Sequence, residues 1–175
     1  MKIYLKLFIA FIIALGLDIL TKFWVMQSLT LYRPVSVIGD FFRWTLGFNT
    51  GVAFSMFTNR GPLLLIIIGV IIVGLAVWAI RSLQSGELPP IAVWPVGFIL
   101  GGALGNYLNR VINGSVIDFI DVGWGAMRWP AFNVADSFIM VGIIWLMLIK
   151  LKHPEPQLDE PPVNVEEMPE EESNL

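Results

Sequence analysis

The sequence contains no cysteine and a single histidine, and only 14% of its 175 residues are charged. Without cysteine the chain has no disulfide, no thiol nucleophile, no thiolate metal site and no cysteine for lipid attachment. His153 lies beyond the last apolar segment, which argues against a Ser-His-Asp triad and a histidine-rich metal centre. The side chains left for chemistry are carboxylates, amides, hydroxyls and lysines.

Hydrophobic residues make up 56% of the chain, and the mean hydropathy of +0.74 is too high for an ordinary soluble domain. Charge is unevenly distributed, because residues 155–175 carry eight acids and no base. The remainder has six acids and eleven bases, a net charge of +5. We interpret residues 1–153 as one integral membrane domain in contact with lipid, and residues 154–175 as a disordered acidic tail. No basic stripe interleaved with aromatic residues indicates nucleic-acid binding.

Apolar segments suited to crossing a membrane occur at four places in the sequence. They cover approximately residues 5–26, 62–80, 91–108 and 136–151. Spanning segments without internal water must be helical, because their backbone polar groups have no other partners. The first segment begins like a signal peptide with Lys2 and Lys6. It has no small-residue cleavage pattern and is interrupted by Asp18 and Lys22, so we interpret it as an uncleaved helix.

Four spans place both termini on one side of the membrane. Lysine and arginine are equally divided between the two sides, but the lysines of the first helix favour cytoplasmic termini. The connections 27–61 and 109–135 then lie together on the outer side. Residues of about 31–48 are rich in β-branched and aromatic types, which predicts a small β element on the membrane surface. The predicted fold class is an all-α integral membrane protein, a four-helix bundle with this extramembrane β element between helices 1 and 2.

Asp118 and Asp136 border long apolar runs, where an ionised carboxylate is costly and often functional. Two carboxylates held together can share one proton and activate water without a metal. Each also has a structural interpretation. Asn133 can cap a helix with Asp136 at its third position, as in a capping box, and Asp118 and Asp121 can be interfacial loop acids.

Other polar residues near the apolar segments occur at helical spacing. Asp18 and Lys22 are four residues apart, which predicts an ion pair that either fixes the first helix to the bundle or takes part in a site. Asn106 and Arg110 share the same spacing, and Arg110 can reach an aspartate or a lipid headgroup. Asn49 begins a turn signal, and its amide is suited to binding a peptide backbone.

Two other functions are alternatives to catalysis by a pair of aspartates. A serine–lysine peptidase would use Lys22 as the base for Ser55 or Ser137, although Asp18 would keep Lys22 protonated. A channel or transporter would use Asp18, Lys22, Asp118 and Asp136 as an ion path, which four short helices allow only through a narrow route or an oligomer.

Five motifs occur in an order that is specific as a set. They are Asp18-Ile-Leu-Thr-Lys22, Asn49-Thr-Gly-Val-Ala-Phe-Ser55, Gly101-Gly-Ala-Leu-Gly-Asn106-Tyr-Leu-Asn-Arg110, Gly114-Ser-Val-Ile-Asp118-Phe and Phe132-Asn133-Val-Ala-Asp136-Ser137. With these motifs the chain, up to about residue 152, resembles the bacterial lipoprotein signal peptidases, the type II signal peptidases.

The resemblance implies an aspartic intramembrane endopeptidase with four transmembrane helices, a β-cradle between helices 1 and 2, and no metal or cofactor. It implies prolipoprotein substrates that carry diacylglycerol on the lipobox cysteine and are cut just before that cysteine. Asp118 and Asp136 match the catalytic pair. The positions that match supporting or substrate-binding residues are Asp18, Lys22, Asn49, Asn106, Arg110 and Asn133.

The resemblance also implies a place in the bacterial cytoplasmic (inner) membrane, an active site toward its outer face and sensitivity to globomycin. We expect a monomer. The chain departs from the family at Asn109, where Asn-x-x-Asp-Arg is usual, so the hydrogen-bonding capacity is kept but the charge is lost. The acidic tail is not part of the family pattern.

Overall fold

A computed structural model describes residues 2–50 and 61–152 of the chain. Within these ranges four helices are long and apolar enough to cross a membrane, which confirms the predicted fold class. The helices are α1 (Lys2–Ser28), α2 (Gly61–Ser85), α3 (Val93–Asn113) and α4 (Val134–Lys152). They extend past the apolar runs at their polar ends, and a single 3₁₀ turn, Pro90–Ala92, leads into α3. Ser55, His153 and the predicted acidic tail lie outside the described residues.

α3 is the central helix of the bundle. Of its most apolar stretch 56% is buried, against 11–17% for the other three described spans. Small residues permit this close packing, as the Gly101–Gly105 run predicts. A Cβ at Gly101 would collide with the backbone of α1 at Phe11, and one at Gly102 would collide with the carbonyl of Ala135 in α4. α3 therefore holds α1 and α4 at fixed positions on either side.

An antiparallel sheet lies at the end of the bundle where α1 and α3 end. Its strands, in spatial and sequence order, are β1 (Val35–Ile38), β2 (Phe42–Asn49), β3 (Val116–Trp124) and β4 (Met127–Arg128). The predicted β element between helices 1 and 2 supplies β1 and β2. The connection 109–135 supplies β3 and β4. Asp118 and Asp121 therefore belong to a strand, and their interpretation as loop acids is wrong. Pairing of Gly47 with Asp118 fixes the register.

A second apolar core attaches this sheet to the membrane helices. Val25 at the end of α1 is fully buried against Leu46, Ile117 and Phe119 of the sheet. The rings of Trp24 and Trp44 also pack nearly perpendicular to each other, with 5.7 Å between their centroids. Burial of these side chains on both elements fixes the orientation of β3 relative to α1.

Asp121 has a structural role on the outer part of β3. Its carboxylate accepts hydrogen bonds from Arg128 Nε at 2.5 Å and from Thr45 Oγ1 at 2.8 Å. Arg128 also donates to the backbone carbonyl of Asp40 at 2.9 Å. These bonds connect β2, β3 and β4 at the tip of the sheet and leave Asp118, three residues earlier, facing the helices.

Candidate active site

The candidate site begins on α1 with a buried ion pair. Lys22 Nζ lies 2.7 Å from Asp18 Oδ2, and the side chains are 3% and 0% exposed. The spacing of four residues places both on the face of α1 that packs on α3. Asp18 Oδ1 accepts a further hydrogen bond, at 3.0 Å, from the backbone N–H of Ala135 in α4. The sequence predicted the pair but not this backbone donor, which becomes visible only once α4 is positioned.

Asn106 of α3 connects this ion pair to the beginning of α4. Its Oδ1 accepts hydrogen bonds from Lys22 Nζ at 2.9 Å and from Asn133 Nδ2 at 3.1 Å. Its Nδ2 donates to Asp136 Oδ1 at 2.7 Å. The amide thus uses both its acceptor and its donor, and its orientation is determined by three partners.

Asp136 lies in the first turn of α4 and forms a capping box with Asn133. The backbone N–H of Asp136 donates to Asn133 Oδ1 at 3.0 Å, and the backbone N–H of Asn133 donates to Asp136 Oδ2 at 3.1 Å. This confirms the capping geometry that the sequence predicted. Capping occupies Oδ2 and Asn106 binds Oδ1, so Asp136 combines a structural role with a place in the site.

Asp118 approaches the same asparagine from β3. Asn133 Nδ2 donates to Asp118 Oδ1 at 2.7 Å, and Asn49 Nδ2 at the end of β2 donates to Asp118 Oδ2, also at 2.7 Å. One residue, Asn133, therefore binds a carboxylate oxygen of both Asp118 and Asp136. We call Asp18, Lys22, Asn49, Asn106, Asp118, Asn133 and Asp136 the polar cluster.

Burial raises the pKa of the Asp118 carboxyl above its ordinary value. The hydrogen bonds from Asn49 and Asn133 act in the opposite direction, and the negative charge of Asp136 raises the pKa further. Asp118 is 4% exposed, so loss of hydration outweighs the two donated bonds. A carboxyl with a raised pKa beside a second carboxyl is suited to retaining a proton.

Two further α3 residues border the polar cluster. Arg110 donates through Nη1 to the backbone carbonyl of Asn106 at 3.2 Å, and its positive charge interacts with both Asp118 and Asp136. Asn109 Oδ1 accepts a hydrogen bond from the backbone N–H of Ile117 at 3.3 Å. Asn109 therefore connects α3 to the residue that precedes Asp118, a role that uses its oxygen and not a charge.

The structure thus brings together all eight site residues that the sequence singled out. Ser137 is placed differently, because its hydroxyl donates to the carbonyl of Asn133 at 3.0 Å. Lys22 is bound to Asp18 and Asn106. A serine–lysine arrangement with Ser137 is therefore not formed. Among the described residues no group of three or more potential metal-ligating carboxylates or imidazoles occurs.

A recess of about 410 Å³ lies beside the cluster, between α1 and α3. Lys22 and Asn109 reach its wall, and most of the remaining lining is apolar, including Phe23, Leu108 and Ile112. The recess therefore connects a lipid-facing apolar surface with the buried polar groups.

Comparisons with known proteins agree with this architecture. The sequence model of the family described as signal peptidase (SPase) II matches residues 10–152. A lipoprotein signal peptidase of Pseudomonas syringae pv. tomato is 42% identical over 147 residues, which cover 81% of this chain and 83% of that protein. One of Xanthomonas campestris pv. campestris is 38% identical over 143 residues, or 79% and 84% of the two chains. A bacterial membrane enzyme solved by the in meso method at 1.9 Å superposes with a TM-score of 0.72 and 27% identity, covering 83% and 92%.

The described helices are apolar and long enough to cross a membrane. Carboxylates and amides are buried together where these helices meet the sheet. The fold and the site thus define an integral membrane protein with a polar site of the kind found in enzymes. The family match covers most of the chain, from within α1 to the end of α4. The chain belongs to the signal peptidase II family and is a membrane peptidase. The resemblance inferred from the five motifs is thereby confirmed.

Proposed function

We propose that this chain is an aspartic endopeptidase that removes the signal peptide from diacylglyceryl-modified prolipoproteins, with Asp118 and Asp136 as its catalytic pair. The observation that carries the proposal is the sharing of Asn133, which donates one hydrogen bond to each carboxylate. Asn133 thereby contacts both acids at the end of the bundle, where the proposed nucleophile is a water molecule bound between the two carboxyl groups. The names of the relatives, lipoprotein signal peptidases, support the choice of substrate.

The proposed reaction is a single hydrolysis. The ionised carboxylate of the pair accepts a proton from water as the water oxygen attacks the scissile carbonyl carbon. The protonated carboxyl donates its proton to the carbonyl oxygen. When the tetrahedral intermediate collapses, the C–N bond breaks and the leaving nitrogen takes up a proton from the pair. The products are the signal peptide with a new carboxylate and the lipoprotein with a free amino group on its lipidated cysteine.

The other residues of the polar cluster, together with Arg110 beside it, position this pair. Asn106 and Asn133 fix the carboxylate orientations by donating hydrogen bonds at 2.7–3.1 Å. The positive charges of Lys22 and Arg110 offset the negative charge that two acids bring into a dehydrated site. Asn49 is the member of the cluster that lies on β2, where an extended substrate backbone would pass.

Substrate recognition would combine lipid and peptide. The recess between α1 and α3 is lined by apolar side chains and ends at the polar cluster, so an acyl chain bound there would bring the lipidated cysteine close to the aspartates. Specificity for the bond before that cysteine would then arise from this geometry.

The proposed location is the bacterial cytoplasmic membrane, with both termini cytoplasmic. Lys2 and Lys6 precede the first span and favour this orientation. The polar cluster lies at the opposite end of α1, so the site would face the outer side. Cleavage would occur where a signal peptide leaves the bilayer.

The test is a gel-shift assay with a diacylglyceryl-modified precursor and the purified full-length protein in proteoliposomes. Asp118→Asn and Asp136→Asn should each lower cleavage by about 10²- to 10⁴-fold while remaining folded. Asp121→Asn removes an acid from the same strand outside the polar cluster and should retain cleavage. Full cleavage by both cluster variants would refute the aspartic mechanism. Globomycin should inhibit the wild type.

The same proteoliposomes test the transport alternative. The described part of α3 from residues 93 to 105 carries no charged side chain, so the polar cluster does not continue toward the other membrane face along this helix. We expect no ion flux. Ion flux without precursor cleavage would favour a channel over a peptidase.

A further inference from the structure

A second recess, of about 420 Å³, lies at the end of α2 that is remote from the polar cluster. A hydrogen bond of 3.1 Å from Gln84 Nε2 to the hydroxyl of Tyr4 shows that this end of α2 adjoins the beginning of α1. The polar cluster involves the other half of α1, from Asp18 onward. Tyr4 and Asp18 are 14 residues apart on α1, about 21 Å along the helix axis, so the recess and the polar cluster lie toward opposite ends of the bundle.

The half of this recess that lies nearer the middle of α2 is apolar. Gly74, Val77 and Trp78 line it, and the two side chains are 44% and 42% exposed on a membrane-spanning helix. A Cβ added at Gly74 would meet no atom within 4 Å, so the missing side chain leaves a groove in the helix surface. A groove that opens toward the bilayer beside a tryptophan is suited to an acyl chain.

The half of the recess at the C-terminal end of α2 carries one positively charged and one negatively charged side chain. Arg81 is exposed and makes no ion pair with any residue that the structure describes. Glu87 follows the helix, and the Ser82 hydroxyl donates to its Oε2 at 2.8 Å, which positions the carboxylate. The last carbonyl groups of α2 add partial negative charge near Glu87. A cation and an anion thus line the same recess.

We infer that this recess binds a phospholipid with a primary-amine headgroup, a phosphatidylethanolamine, through its phosphate on Arg81, its ammonium on Glu87 and an acyl chain over Gly74. A guanidinium matches phosphate oxygens with paired donors, and a carboxylate accepts hydrogen bonds from an ammonium. Arg81 and Glu87 therefore complement both charges of this headgroup.

The chemistry of the recess favours this lipid over other membrane lipids. An anionic headgroup would satisfy Arg81 but would be repelled by Glu87 and the end of α2. A choline headgroup would bring a positive charge to Glu87 but has no N–H to donate. A soluble phosphate ester would leave the apolar half of the recess empty.

The test uses the full-length protein in detergent, titrated with phosphatidylethanolamine, phosphatidylcholine or phosphatidylglycerol of identical acyl chains. Native mass spectrometry measures the bound lipid. We expect wild type to bind phosphatidylethanolamine about tenfold more tightly than the other two lipids. Arg81→Gln should weaken binding of phosphatidylethanolamine by about tenfold, and Glu87→Gln should reduce it to the phosphatidylcholine level. Gly74→Leu should weaken all three lipids alike.

Arg33→Gln, at an exposed arginine in the connection after α1, is the matched control and should leave lipid binding unchanged. Equal binding of the three lipids by wild type would overturn the inference, as would a phosphatidylglycerol preference that Glu87→Gln does not alter. Precursor cleavage by Arg81→Gln and Glu87→Gln should remain at the wild-type level. If wild type binds the lipid selectively but cleaves no precursor, the proposed function fails and this inference stands.

Discussion

The α-carbon of Gly105 lies directly against the carboxylate of Asp18, and a Cβ at position 105 would occupy space now held by Oδ2. α1 and α3 approach this closely at the level where Asp18 binds both Lys22 and the backbone of α4. Asp18 cannot move aside without losing one of these bonds. The glycine thus has a different function from those earlier in α3, since it makes room for a charged group and not for a neighbouring backbone.

Gly105→Ala is therefore expected to destabilise the protein by about 1–3 kcal/mol, the usual cost of overpacking a filled site. Thermal unfolding in detergent micelles measures this effect. Gly16→Ala is the matched control, because a Cβ at Gly16 meets nothing within 4 Å. Equal unfolding temperatures for the two variants would show that Asp18 can be displaced at little cost.

Lys22→Met is expected to destabilise the fold by about 3–5 kcal/mol, because it leaves the fully buried Asp18 carboxylate without its cation. The double variant Asp18→Asn with Lys22→Met removes the orphaned charge and keeps an oxygen for the Ala135 N–H. We expect the double variant to unfold at a higher temperature than Lys22→Met alone. A double variant that is no more stable than the single one would show that the charge pair is not the source of the effect.

Asp118→Asn is expected to stabilise the protein at neutral pH. Burial raises the pKa of Asp118 in the folded state above its value in the unfolded chain, which is about 3.9. The contribution of Asp118 to the free energy of unfolding is therefore fully present below about pH 3.9. It is lost as the pH rises through the folded-state pKa. Asparagine cannot ionise and avoids that loss, and its single side-chain oxygen keeps one of the two hydrogen bonds from Asn49 and Asn133. We expect Asp118→Asn to have a higher Tm than the wild type at pH 7 and the same Tm toward pH 4, as measured by thermal unfolding in detergent micelles.

Asp121→Asn serves as a comparison, because its Tm is expected to change in the opposite direction. Asp121 accepts bonds from Arg128 and Thr45, so loss of its charge should lower the Tm at pH 7. A Tm decrease for both variants would contradict the view that only Asp118 is held at a cost to stability.

Asn109→Asp is expected to keep precursor cleavage near the wild-type rate, because a carboxylate oxygen can still accept the hydrogen bond from the Ile117 N–H. Asn109→Leu should lower cleavage by about 3- to 10-fold, the factor that corresponds to one hydrogen bond of about 1 kcal/mol. Cleavage rates at saturating precursor measure both variants. A strong loss in Asn109→Asp alone would show that the neutral amide is required.

The membrane helices could be predicted because apolar runs of the necessary length have few other solutions in a bilayer. The pairing of Asp18 with Lys22 could be predicted because the two residues are one helical turn apart. Each charge is also costly inside a membrane unless it has a partner of opposite sign. The capping box of Asn133 and Asp136 is likewise local in sequence. Each of these features depends on residues within a few positions of one another.

The strand that carries Asp118 could not be assigned from local pattern. Asp118 and Asp121 interrupt the apolar alternation of Val116 to Val122, and the pairing of β3 with β2 joins segments about 70 residues apart, such as Asn49 with Val116. The burial that defines β3 arises only when Val25 of α1 and Leu46 of β2 pack against it. The shared role of Asn133 is also non-local, since it depends on β3, α3 and α4 together.

Asp118 reaches the site on an extramembrane strand, whereas Asp136 reaches it on the last described helix. During synthesis the ribosome completes the first acid before it has made the span that carries the second. A chain whose final span has not entered the bilayer therefore holds only half of the proposed pair. Insertion of that span would therefore be the step that completes the proposed catalytic pair.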